Sequence, residues 1–157
     1  MIYADTSFIA SVYGLDANTT EARQFIEASR PRLPLGFLHW PELAKCFWTS
    51  QPENAEILWD WVKTDLAGGK KLYPLELEAD PVARRAAGLL IHYCPRWQKL
   101  RSLDALHVAA ALAGGFKTFV SFDTRSFQRT LAATQKLKVW PPLTAAEHLA
   151  LKSGLTG

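Results

Sequence analysis

The feature that most narrows the fold is an alternation. Short apolar runs take turns with longer stretches whose apolar residues recur at helical spacing. The first run, Ile2-Tyr3-Ala4, stops at Asp5. A continuous apolar run without polar alternation suits a strand covered on both faces. Leu33–His39, Leu72–Leu77, Lys117–Phe122 and Leu137–Trp140 read as further strands. Helices are expected from Thr6 or Ser7 through Val12, over Glu21–Ala28, and from Pro41 through Phe47. Others are expected over Pro52–Ala67, closed by Gly68-Gly69, from Asp80 to about Tyr93, and around Phe127–Ala133. The segment SLDALHVAAALAGG is the clearest helix, with Ser102 as its N-cap and Gly114-Gly115 as its stop. Strand and helix in alternation, with two or three helices inserted between Pro41 and Tyr93, argue for an α/β fold. A central, mainly parallel sheet covered by helices is expected. Ligands then sit beyond the carboxyl ends of the strands.

The length of 157 residues suits one domain with one well-filled core. We expect a single domain over 1–157, with the core at 1–140 and a short C-terminal extension at 141–157. The net charge of +3 is compatible with an anionic partner but does not demand one. Cys46 and Cys94 have neither disulfide-framework nor zinc-finger spacing, and the N-terminus lacks the basic start of a signal peptide. No apolar run approaches membrane-spanning length. A cytoplasmic, non-membrane protein is the expectation.

Four acids stand at element ends. Asp5 ends the first strand, and Asp123 ends the strand through Phe119-Val120. Glu42 and Asp104 each fall in a first helical turn. Singly, each has an ordinary explanation, since helix starts favour acids and strand ends favour turn acids. Four converging on one sheet edge would repel one another, and such clusters persist mainly when a cation neutralises them. All-oxygen donors suit Mg²⁺ or Mn²⁺. Thr6, Ser7 and Ser121 are candidates to orient those carboxylates, although Thr6 and Ser7 are equally suited to helix capping.

The motifs YADTSFIASVY, HWPELAKCF, RSLDALHVAAAL and TFVSFDTRS resemble, in this order, those of the PIN domain. They look most like those of VapC-type toxins of bacterial toxin–antitoxin pairs. The similarity runs from Ile2 to about Trp140. It implies a three-layer α/β/α fold and a metal-dependent endoribonuclease. It assigns Asp5, Glu42, Asp104 and Asp123 as catalytic acids and ligands of one or two Mg²⁺ or Mn²⁺ ions. Such ions would activate water for in-line phosphodiester hydrolysis. It also implies an RNA substrate, a cognate antitoxin and a homodimer. The chain departs from its relatives after Glu42, where Ala44 and Lys45 replace a usual arginine and asparagine, and Trp40-Pro41 before the acid is unusual.

RNA must be attracted by cations, and Arg101 and Arg125 are the candidates because each lies close to one of the acids. His107 reads as a core histidine, and His39 gives no stronger signal. Trp48, Trp59 and Trp61 belong to the core or to a partner surface. Competing readings are a non-catalytic PIN-like binding module, a response-regulator-type phosphoacceptor and an aspartyl phosphatase. The phosphoacceptor lacks its adjacent acidic pair, and in the phosphatase reading Ser7 stands where a second acid is wanted.

Overall fold

The computed structural model describes residues 1–155. The chain divides into two compact units, Ile2–Glu76 and the residues from Leu77 onward together with Met1.

The first unit runs β1 (Ile2–Ala4), α1 (Thr6–Tyr13), α2 (Thr19–Ser29), β2 (Leu33–Leu35), α3 (His39–Ser50), α4 (Ala55–Gly68) and β3 (Leu72–Pro74). Strands β2 and β3 are parallel, with Leu33 opposite Leu72 and Leu35 opposite Pro74. Strand β1 lies against β2, and α1 packs on α2, α3 and α4. Phe8, Ile9, Leu43, Phe47 and Val62 fill the interior from these helices, and Leu33 and Leu72 fill it from the strands. The expected strand over Leu33–His39 is only Leu33–Leu35, because the backbone turns at Gly36 and His39 already belongs to α3. Pro41 falls in the first turn of α3, where a missing N–H costs no helical bond. Helix α4 ends on Gly69, whose φ of 63° favours a residue without Cβ.

The second unit runs α5 (Ala79–Tyr93), α6 (Ser102–Ala113), β4 (Thr118–Val120), α7 (Gln128–Thr134), β5 (Lys138–Trp140) and α8 (Ala145–Leu155). Strands β4 and β5 pair in parallel, Phe119 opposite Val139. Helix α6 packs on α5 and α7, and Ala105, Val108, Ala109 and Ala111 are fully enclosed. An apolar surface that extends around most of a helix marks one buried in a core. Ser102 is the first helical residue rather than the N-cap. Arg101 takes the cap position in extended backbone, and Asp104 accepts its N–H from inside the first turn, at 3.0 Å. The 141–157 extension contains α8. Thr144-Ala-Ala-Glu147 forms a reciprocal capping box there: the Thr144 N–H donates to Glu147 Oε2, and the Glu147 N–H to Thr144 Oγ1. Glu147 is also buried against Arg129, at 2.8 Å. Among the described residues, no helix is long and apolar enough to cross a membrane.

Candidate active site

Each unit carries one pair of the four acids. In the first unit, Asp5 follows β1 directly and caps α1. Its Oδ1 accepts the Phe8 N–H at 3.0 Å and the Ser7 hydroxyl at 2.7 Å. Glu42 lies one turn into α3, and Thr6 Oγ1 donates to its Oε2 at 2.6 Å. Two consecutive hydroxyls at the start of α1 thus each hold a different carboxylate. This follows from helix geometry, since residues one apart point about 100° away from each other.

His39 braces the same place, and sequence reasoning gave it no role. The Gly36 N–H donates to its Nδ1 at 3.0 Å. Nε2 therefore carries the proton, and it donates to the Ala4 carbonyl at 2.9 Å. One fully buried ring fixes the turn before α3 to the last residue before Asp5. A lone histidine has no spacing partner, so the only clue was its place between a strand and the Trp40-Pro41 helix start. Tyr3 is the other unforeseen neighbour. Its hydroxyl is pushed well above the usual tyrosine value, first by burial and then by the Asp5 and Glu42 carboxylates.

In the second unit, an arginine joins the acids. Arg101 Nε donates to Asp104 Oδ2 at 3.1 Å, and Nη2 donates to Asp104 Oδ1 at 3.1 Å. The same Nη2 reaches Asp123 Oδ2 at 2.9 Å. Asp104 is nearly buried, whereas the Arg101 side chain is 66% exposed. Asp123 lies in the turn after β4, where its Oδ1 accepts the backbone N–H groups of Arg125 and Ser126 at 2.9 and 3.2 Å. The Ser121 hydroxyl donates to Gln128 Oε1 and accepts the Asp123 N–H at 3.1 Å. In these bonds Ser121 sets the turn rather than the carboxylate. Arg129 fixes the same turn from below, donating to the Ser121 carbonyl at 2.7 Å.

Of the two RNA-binding candidates, Arg101 is engaged by carboxylates and Arg125 is exposed. His107 is buried within α6. Trp40 and Trp48 pack edge-on against Trp59, at 5.4 and 5.8 Å between ring centres. Trp48 and Trp61 remain about half exposed. Among the described residues, no group of three or more His, Cys, Asp or Glu side chains is gathered to hold a metal ion. The acids stand in pairs, held by hydroxyls in one unit and by a guanidinium in the other.

Parallel strands joined by helices, with an acid after β1, an acid opening α6 and an acid in the turn after β4, define a class. A PIN domain family model matches residues 2–132, and the chain belongs to that family. Among solved structures, the chain is similar to VapC20 of Mycobacterium tuberculosis, described as a sarcin–ricin loop cleaving toxin. The TM-score is 0.64 at 18% sequence identity, over 85% of this chain and 95% of the other. None of the curated proteins matches the chain.

Proposed function

We propose that this chain is an endoribonuclease dependent on Mg²⁺ or Mn²⁺, and the toxin of a toxin–antitoxin pair. In this reading Asp5, Glu42, Asp104 and Asp123 hold the ion. The observation that carries it is the Arg101 guanidinium seated on both Asp104 and Asp123. Two acids that share one cation already have the charge and spacing of a cation site. Their donors are all oxygens, and so are those of Asp5 and Glu42, which suits a hard divalent ion.

When bound, such an ion supplies Lewis acidity toward a phosphodiester and lowers the pKa of attacking water. The chain's own residues do the rest. Ser7 and the Phe8 N–H fix Oδ1 of Asp5 and so set the direction of its carboxylate. Thr6 orients Glu42 through Oε2. The Arg125 and Ser126 N–H groups hold Oδ1 of Asp123, while its Oδ2 accepts from Arg101. Arg101 pairs with both Asp104 and Asp123, and its mostly exposed guanidinium would also suit an RNA phosphate.

The reading extends to partners. The half-exposed Trp48 and Trp61 support a surface for a second copy of the chain or for an antitoxin. The family supports a cytoplasmic setting and one domain over 1–157. Labelled RNA incubated with Mn²⁺, or with EDTA, tests the activity. Cleavage with the ion and none with the chelator is expected. Intact RNA in both would leave a non-catalytic binding module.

A further inference from the structure

The second unit has a cavity that the acids do not use. It measures about 720 Å³ and lies among α7, α8 and the segment before α6. Its apolar lining comes from Trp97, Phe127, Ala146, Leu149 and Ala150. The Trp97 indole is stacked between Tyr93 and Phe127, at 4.8 and 5.3 Å between ring centres. Arg96, Lys99, Arg125 and Lys152 also line the cavity and are exposed. Glu147 is the one carboxylate of the lining among the described residues, and its charge is taken by buried Arg129.

Two further observations distinguish this cavity from a packing gap. First, Trp97 Nε1 and Thr130 Oγ1 are buried without a hydrogen-bond partner among the described residues, and both residues line it. Orphaned polar atoms are costly, and native proteins keep few of them. Second, a neighbouring cavity of about 560 Å³ is lined by Asp123 and Arg101 together with Lys99, Arg125 and Ser126. The last three residues line both cavities, so the cationic rim continues to the acid.

We propose that this cavity is a nucleotide subsite, taking one base of the RNA beside the scissile phosphate. This rests on the ribonuclease reading of the same acids. A nucleotide is a flat apolar ring with hydrogen-bonding edges and an attached anion. Both faces of Trp97 are already covered, so the ring enters against Phe127, Leu149 and Ala150, and a small adjustment brings the Trp97 N–H and Thr130 hydroxyl to its edge. The cations at the rim receive the phosphates on either side. The volume lies within the range of small-ligand sites. An acidic peptide would satisfy the rim, but its acidic side chains bring no flat ring to the apolar lining.

The test uses the full chain without metal. The indole N–H resonance of Trp97, assigned by its loss in Trp97→Phe, is followed during titration with the four nucleoside 5′-monophosphates, ribose 5-phosphate and tetraglutamate. A saturable shift with at least one nucleotide, and none with the sugar phosphate or peptide, is expected. No shift with any nucleotide, or a shift with the peptide alone, overturns the subsite. Ala150→Trp, which fills the cavity, and Lys152→Glu, on an exposed position, should each weaken oligoribonucleotide binding roughly tenfold. Wild-type affinity in a folded Ala150→Trp together with wild-type affinity in Lys152→Glu also overturns it. Mn²⁺-dependent RNA cleavage without any nucleotide shift would remove the subsite and leave the nuclease standing. Nucleotide shifts without cleavage would do the reverse.

Discussion

The two acidic pairs are built differently. Asp5 and Glu42 are met by neutral donors, the hydroxyls of Ser7 and Thr6 and one backbone N–H. Asp104 and Asp123 are met by a full positive charge on Arg101. A hydroxyl fixes a carboxylate's direction without bringing a charge of its own. A guanidinium fixes direction and offsets one unit of charge as well. The first pair is thus oriented from the start of α1, and the buried Tyr3 hydroxyl, raised first by burial, is raised further by both carboxylates. The second pair shares one positive charge between two carboxylates, carried by a mostly exposed arginine. That contrast teaches that short hydroxyls built into a helix start and one long, mostly exposed side chain are two ways of orienting a carboxylate pair.

The largest expected effects come from removing charge while keeping shape. Asp5→Asn and Asp104→Asn should each lower RNA cleavage more than about a hundredfold. Losing a group that merely supports a metal ligand already costs up to that much. Wild-type cleavage by either folded variant would remove its pair from the reaction.

Next in size is loss of the hydroxyls. Thr6→Val keeps the branched shape and removes the donor to Glu42. About a tenfold loss of cleavage is expected, with stability changed by roughly 1 kcal/mol. Ser7→Ala should cost less, because the Phe8 N–H still holds the same Asp5 oxygen. Equal losses in the two would show that the backbone bond contributes nothing to Asp5.

Arg101 gives a smaller effect of opposite sign. Arg101→Gln should tighten Mn²⁺ binding, measured by calorimetry, about two- to fivefold, because most of the arginine faces solvent. Weaker Mn²⁺ binding would mean that Arg101 supports the ion rather than competing with it.

The smallest effect is one of pH. Tyr3 has its folded pKa raised, so its contribution to stability is fully present below about pH 10, the unfolded tyrosine value. As pH rises past that point the unfolded chain ionises first, and stability falls. Tyr3→Phe should flatten that alkaline decline in denaturant titrations. An unchanged slope would mean that neither burial nor the nearby carboxylates hold the Tyr3 hydroxyl above its ordinary value.

Much of this was legible in the sequence for local reasons. An apolar run that stops at an acid, or an acid within a helical first turn, is a pattern within a few residues. The order of elements and the positions of Asp5, Glu42, Asp104 and Asp123 at their ends follow from such patterns. The i,i+3 spacing of Arg101 and Asp104 was equally visible, but the contact from Arg101 to Asp123 spans 22 residues and only folding makes it. His39 was missed for the same reason, since its bond to the Ala4 carbonyl spans 35 residues. Helix α8 had a local signal in Thr144-Ala-Ala-Glu147, a capping box overlooked behind Pro141-Pro142. The cavity beside α8 had none, because it is made by Trp97 and Phe127 from outside that helix.

The claim that both pairs serve one reaction is tested most directly by a double substitution. Mn²⁺-dependent RNA cleavage is measured for Asp5→Asn, Asp104→Asn and the variant carrying both. Groups acting as a unit are strongly non-additive. The double variant should therefore be no slower than the slower single one. Losses that multiply, or a single variant that cleaves at the wild-type rate, would contradict a shared reaction.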